Sequence, residues 1–220
     1  MRKSGKSLKL LVSIAAVAAI LAVLPGAFLS CSDKPSKTVP EKDTVSVLLF
    51  NADSAYAHIE AQCAFGPRVP NTEAHERCGQ YIVSRFKALG LAVTEQKMEL
   101  KAYNGTTLKC MNIFASTDTT AKRRILVSAH WDSRPWADND PDENNHKTPV
   151  LAANDGASGV AVMLELARAF MEDKPSVGVD FVCFDAEDYG VAQWDESNYP
   201  GDMSNSWCLG SQYFAANLPF

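Results

Sequence analysis

The stretch from Arg124 to Asp188 constrains the fold more than any other part of the chain. Arg124 to Ala129 is a short, continuous apolar run. Ser158 to Met171 repeats its apolar residues at helical spacing, and Val177 to Asp185 is a second apolar run. Short runs without polar alternation predict strands buried on both faces. Strand, long loop, helix and strand, in that order, predict a parallel βαβ unit. Ligands of such folds gather at the carboxyl ends of the strands. The fold class that follows is α/β, with a mixed, largely parallel central sheet flanked by helices.

The preceding segments fit around that unit. Asn51, Asp53 and Ser54 are helix-start residues, and they predict a helix over Ala55 to Ala64. Phe65 to Asn71 holds one glycine and two prolines and predicts a loop. Thr72 then caps a second helix, with Tyr81, Ile82, Phe86 and Leu89 on one face and Gly90 at its end. Leu91 to Ala102 and Leu108 to Ala115 read as further strands. Residues 131–150 are polar and carry Asp138, Asp140, Asp142 and Glu143; a loop of that length in a compact domain is usually functional.

The first thirty residues belong to something else. Arg2, Lys3, Lys6 and Lys9 precede a nearly unbroken apolar run from Leu10 to Leu24, and no acid occurs before Asp33. A basic head and a short apolar run describe an export signal, and the run is shorter than the ~20 residues of a spanning helix. Phe28-Leu29-Ser30-Cys31 resembles a bacterial lipoprotein cleavage box, with Cys31 as the acylated residue. Plain secretion and an uncleaved anchor are the alternatives. The expected organisation is a lipoprotein signal peptide over 1–30, a polar tether over 31–47 and one domain over 48–220. The expected location is the periplasm or cell surface, with membrane contact only through the lipid.

Charge narrows the partners. The chain has 21 basic and 26 acidic residues; without the four basic residues of 1–30 the balance is 17 against 26, a net −9. Phosphate backbones need clustered Lys and Arg, so nucleic acid is excluded as an expected partner. Lys122-Arg123-Arg124 reads as a solvated turn before a strand. The six cysteines include no CxxC pair, which argues against a cysteine zinc ribbon. Cys63 and Cys78 flank one loop and could pair, whereas Cys183 reads as a small buried hydrophobe.

Three polar clusters lie at the predicted strand ends and helix start. His130-Trp131-Asp132 follows the first apolar run; alone, His-x-Asp reads as a surface pair. Asn154-Asp155-Gly156-Ala157-Ser158-Gly159 opens the amphipathic helix; alone, it reads as a cap, although its glycines allow close backbone approach. Asp185-Ala186-Glu187-Asp188 ends the second run; alone, it reads as an acidic turn. Residues that continue a strand point alternately, so Glu187 and Asp188 can divide two tasks, one holding a cation and the other facing substrate as a base. Together, an imidazole and hard oxygen ligands suit a catalytic zinc with an open position.

These clusters, with Gly66-Pro67-Arg68-Val69-Pro70-Asn71-Thr72-Glu73-Ala74-His75 and Arg134-Pro135-Trp136-Ala137-Asp138, resemble the zinc aminopeptidase-like superfamily from about Asn51 to Phe220. Within it they look most like bacterial glutaminyl-peptide cyclotransferases of the animal type. The resemblance implies a zinc exopeptidase-like α/β/α fold and one Zn²⁺ per chain, or two in an aminopeptidase. It implies Asp155 and Asp188 as zinc ligands, Glu187 as general acid and base, and Trp194 as a substrate-pocket tryptophan. His130, with Asp132 beside it, would be a second-shell group or a ligand of a second metal.

The family's third ligand is a histidine late in the domain. The histidines here are His58, His75, His130 and His146, and none follows Asp188. The expectation is therefore a domain incomplete at its C-terminus, with an exposed sheet edge. The reaction implied is conversion of an N-terminal glutamine of peptide or protein substrates to pyroglutamate with loss of ammonia. A metalloaminopeptidase is the alternative, and a non-catalytic surface lipoprotein is a second.

Overall fold

The computed structural model describes residues 49–218; the expected signal peptide, Cys31 and the expected tether lie outside the described residues. Helix α1 spans Ala52–Cys63, and its N-cap Asn51 accepts the Ser54 amide at 3.0 Å. Helix α2 spans Glu73–Ala88, with the Thr72 hydroxyl accepting the His75 amide. It stops at Gly90, whose φ of 85° is left-handed backbone that a glycine adopts without a Cβ clash.

Strands β1 (Ala92–Lys101) and β2 (Thr107–Ser116) form an antiparallel hairpin. Strand β3 (Arg124–His130) leads through the long loop to helix α3 (Gly159–Glu172), which returns to β4 (Gly178–Phe184). Helix α4 covers Leu209–Ala216. The sheet order is β1-β2-β4-β3.

The βαβ unit is present: β3 and β4 are parallel, from Arg124 opposite Gly178 to His130 opposite Phe184. The sheet is mixed, but the expectation of a largely parallel one is corrected among the described residues. β1 pairs with β2, and β2 with β4, antiparallel. A short turn such as 102–106 can join only antiparallel neighbours, because a parallel return needs a crossover.

One face of the sheet packs against α2 and α3. Ile82, Phe86, Ile113, Leu164 and Phe181 are fully buried there, and Tyr81 and Leu89 pack on the margin of the same cluster. The other face carries a smaller cluster of Met98, Leu108, Cys110 and Ala186, against Leu209 and Tyr213 of α4.

β4 is buried as its sequence predicts, but β3 is not. Ile125 is 49% and Leu126 54% exposed. Neighbouring strand residues face opposite sides, so both faces of the sheet are open there. The reason is position: among the described residues β3 lies at an edge of the sheet and β4 inside it. The basic turn also divides. Lys122 and Arg123 are exposed, whereas Arg124 binds the buried Asp180 carboxylate and the Ser116 hydroxyl. Cys63 and Cys78 are free thiols, and Cys183 is fully buried.

Candidate metal centre

The parallel pair sets the site. β3 ends at His130 beside the end of β4 at Phe184, and the Trp131 amide donates to the Phe184 carbonyl at 3.0 Å. The two clusters that follow the strands therefore emerge side by side.

Asp132, fully buried, joins them. Its two carboxylate oxygens accept the backbone amides of Glu187 at 3.0 Å and Asp188 at 3.2 Å. The same carboxylate lies 3.5 Å from His130 Nδ1. The alternation expected for Glu187 and Asp188 is corrected here. The strand stops at Phe184, and Ala186 takes a left-handed φ of 50°, so the strand rule no longer applies where the acids lie. Three amides from the start of α4 then close on this bend: Cys208, Leu209 and Gly210 donate to the carbonyls of Glu187, Ala186 and Asp185.

The third cluster member arrives through a distorted helix entry. Residues Ala153–Ser158 form an irregular π-type turn, with Asp155 at φ −87°, ψ 99°. The cap reading fails: α3 begins without a side-chain cap hydrogen bond, and Asp155 instead places Oδ1 2.9 Å from His130 Nε2. Gly156 makes the approach possible. A Cβ there would lie 2.9 Å from the Asp132 carbonyl oxygen and 3.1 Å from His130 Cε1, at a φ of 101°.

His130, Asp155 and Asp188 each offer one ligand atom within 4.8 Å of the others. Glu187 Oε2 lies 3.1 Å from His130 Nε2. The residue pattern grouped His130 with the carboxylates, whereas the family resemblance set it apart from the Asp155–Asp188 pair as a second-shell or second-metal residue. The structure brings all three together, with Glu187 alongside. The cluster faces solvent: the side chain of Asp155 is 74% exposed and that of Glu187 36%.

Electrostatics ask for a cation. Four carboxylates, from Asp132, Asp155, Glu187 and Asp188, surround one imidazole. Burial, then the charges of Asp132, Asp155 and Glu187, push the Asp188 carboxyl up to about 7, against the opposing pull of His130. Burial alone would lower His130, but Asp132, Glu187 and Asp155 push it up to about 9. Both groups hold their protons more tightly than they would in water. One imidazole with hard carboxylate oxygens is the donor set of a catalytic zinc site, so the residues present fit that ion.

The surroundings contain residues that sequence reasoning missed. Arg68 is fully buried, and its guanidinium donates to the carbonyls of Trp131, Leu151 and Ala152. It thereby ties the 65–71 loop to the loops on either side of the metal cluster. Asp185, also buried, accepts His75 Nε2 at 2.8 Å and the amides of Met111 and Ala186. Burial raises its carboxyl and His75 opposes that shift. His75 stacks on Trp131 at 4.2 Å. The only sequence signal was an arginine and a histidine close to a Pro-rich loop, with nothing to indicate their partners.

Tyr189, directly after Asp188, joins an aromatic cluster. Trp136 is nearly buried and meets Tyr189 at 5.2 Å, Trp194 at 5.8 Å and Tyr103 at 6.0 Å. Trp194 is 41% exposed. Arg134 binds Asp138, donates to the carbonyls of Asp188 and Val191, and covers the Trp207 ring at 4.6 Å. It therefore links the aromatic cluster to the acidic bend.

The chain is similar to known proteins. A model of peptidase family M28 matches residues 112–219. The crystal structure of Bacteroides thetaiotaomicron glutaminyl cyclase bound to N-acetylhistamine is 51% identical, with a TM-score of 0.73; the match covers 77% of this chain and 57% of that one. A Zn-dependent exopeptidase from Parabacteroides distasonis is 48% identical, with a TM-score of 0.74, and 78% and 57% of the two chains are covered. Aminopeptidase YwaD of Bacillus subtilis is 30% identical over 129 residues, which is 57% of this chain and 25% of the relative. The chain thus spans little more than half of these two solved structures and a quarter of YwaD.

Proposed function

The chain belongs to the zinc aminopeptidase-like superfamily, and on that premise we propose that it serves a zinc-dependent glutaminyl-peptide cyclotransferase. The observation that carries the reading is the place of Glu187. Its carboxylate lies 3.1 Å from His130, which is grouped with the Asp155 and Asp188 donors, and Tyr189, which packs on Trp136, follows two residues later in the chain. The 51% identity to a glutaminyl cyclase supports it.

The residues that would hold zinc are Asp155 and Asp188, with His130 in reach. Bound there, zinc would supply Lewis-acid polarisation of the side-chain amide carbonyl of an N-terminal glutamine. The protein's own residues do the rest. Trp194 and Trp136 receive the side chain and hold it against the peptide's own α-amine, so positioning supplies much of the rate. Glu187 takes a proton from the amine as the amine nitrogen bonds to the amide carbon. It returns that proton to the side-chain nitrogen as the old carbon–nitrogen bond breaks and ammonia leaves. Asp132 keeps the Glu187 and Asp188 amides in register for this exchange.

A second reading is a metalloaminopeptidase. The 2.9 Å approach of His130 to Asp155 favours it, since His130 and Asp155 could share a second ion. The two readings differ in product. Mass spectrometry of a Gln-leading peptide, incubated with zinc and the full-length protein, should show loss of ammonia with every residue retained. Loss of the whole first residue would overturn the cyclase and give the peptidase. No change in the peptide, with zinc bound, would leave a binding module. The exported setting is a further part of the proposal. Cys31 should take up labelled palmitate in a bacterial host, and Cys31→Ala should not.

A further inference from the structure

Tyr103, in the turn between β1 and β2, has no part in the reaction so far described. Its hydroxyl donates to Asp195 Oδ2 at 2.8 Å. Its ring stands edge-on to Trp136 at 6.0 Å and to Tyr199 at 6.1 Å. Asp195 directly follows Trp194 in the short 3-10 turn Gln193–Asn198, which begins without a side-chain cap. A single turn of that kind does not hold its own shape in water. Contacts from outside hold this one, among them the Gln193 side-chain amide on Asn139 Oδ1 and the Trp194 ring on Trp136. The Gln193 amide donates to Asp138 Oδ2 at 3.0 Å, and Asp138 is itself gripped by Arg134. Tyr103 grips the turn from the other side. Burial, then the hydrogen bond to Asp195, pushes the phenol up to about 12, so it stays a donor at any working pH.

We propose that Tyr103 is a positioning residue for the substrate pocket: acting through Asp195, its hydroxyl fixes the exposed face of Trp194 against Trp136 and so sets affinity for the substrate's N-terminal side chain. The inference rests on the cyclase reading only in taking Trp194 as a pocket wall. Its structural part, that the hairpin turn orders the Trp194 segment, stands apart from the reaction.

The test uses the full-length, zinc-loaded protein with Tyr103→Phe, Asp195→Ala and both together. Without substrate, acrylamide quenching of Trp194, taken as the difference from Trp194→Phe, should rise in each variant. With a Gln-leading peptide, KM should rise about tenfold, the scale of a lost hydrogen bond to a charged group, while kcat and zinc content hold. The double variant should be no worse than the worse single, because one contact is being removed twice. Unchanged quenching would overturn the inference. Additive losses in KM would also overturn it, since Tyr103 would then meet substrate directly. If one variant fails to fold, the other still removes the contact and decides. If the parent protein does not cyclise, the functional reading fails, and the quenching arm alone still rules on Tyr103.

Discussion

The parallel pair β3–β4 is built of two chemistries. Along β4, Val179, Phe181 and Cys183 are fully buried among α2, α3 and β2. A few residues further, at the carboxyl ends, Asp132, Asp155, Glu187 and Asp188 crowd around His130. The first region gains stability from apolar burial. The second gives stability up, holding like charges together on backbone fixed by left-handed Ala186 and Gly156. The contrast separates what keeps the domain folded from what the domain is for, and it can be tested by perturbing each region in turn.

The largest effect is expected at the rim. In the full-length protein, Glu187→Gln should lower turnover roughly 10²–10⁴-fold, the usual worth of a general acid and base. Zinc content and melting temperature should hold, because Glu187 is partly exposed and is not among the three grouped donors. Residual turnover near the parent rate would remove the role given to it.

The body should answer in the opposite way. Phe181→Ala, at a fully buried ring stacked near Phe86 and Phe170, should cost about 3–5 kcal/mol in denaturant unfolding. The fraction still folded should keep its zinc affinity. Weaker zinc binding in that fraction would mean that core and rim are not separable.

Asp132→Ala tests the joint between them. It strips the acceptor from the Glu187 and Asp188 amides. Zinc affinity, read by competition with a chelating dye, should fall about 10–100-fold, as for other groups that orient metal ligands. A smaller loss would show that the α4 amides hold the bend alone.

The gentlest probe is pH. In the metal-free chain, Asp188 and His130 both hold protons more tightly than in the unfolded state. Each therefore contributes stability at low pH that is lost as pH rises through its folded value, about 7 for Asp188 and about 9 for His130. The metal-free melting temperature should fall between pH 5 and 9, and saturating zinc should flatten that fall. A metal-free curve that rises with pH would contradict the charge crowding described for the rim.

Much of this was legible in the sequence, because much of it is local. Thr72 and Gly90 marked the ends of α2 through capping chemistry and backbone freedom. The run into Asp185 marked β4, and the order of segments gave the βαβ unit. The residues of the metal cluster were visible as polar groups placed where strands end. Their grouping into one site was expected, but the contacts that bring them together were not legible. Sheet order decided that Leu126 faces solvent while Phe181 is buried, although the two apolar runs read alike. The pairings of Asp132 with Glu187, Arg68 with Trp131 and Asp185 with His75 span 55 or more residues of the chain, and no short-range pattern encodes them. Periodicity, caps and turns act over a few residues, so the sequence alone determined the elements and the chemistry available at their ends. Pairing order and side-chain convergence depend on contacts across the whole chain. Only the tertiary structure decided which strand was an edge, which histidine joined the two aspartates, and which buried carboxylate held them there.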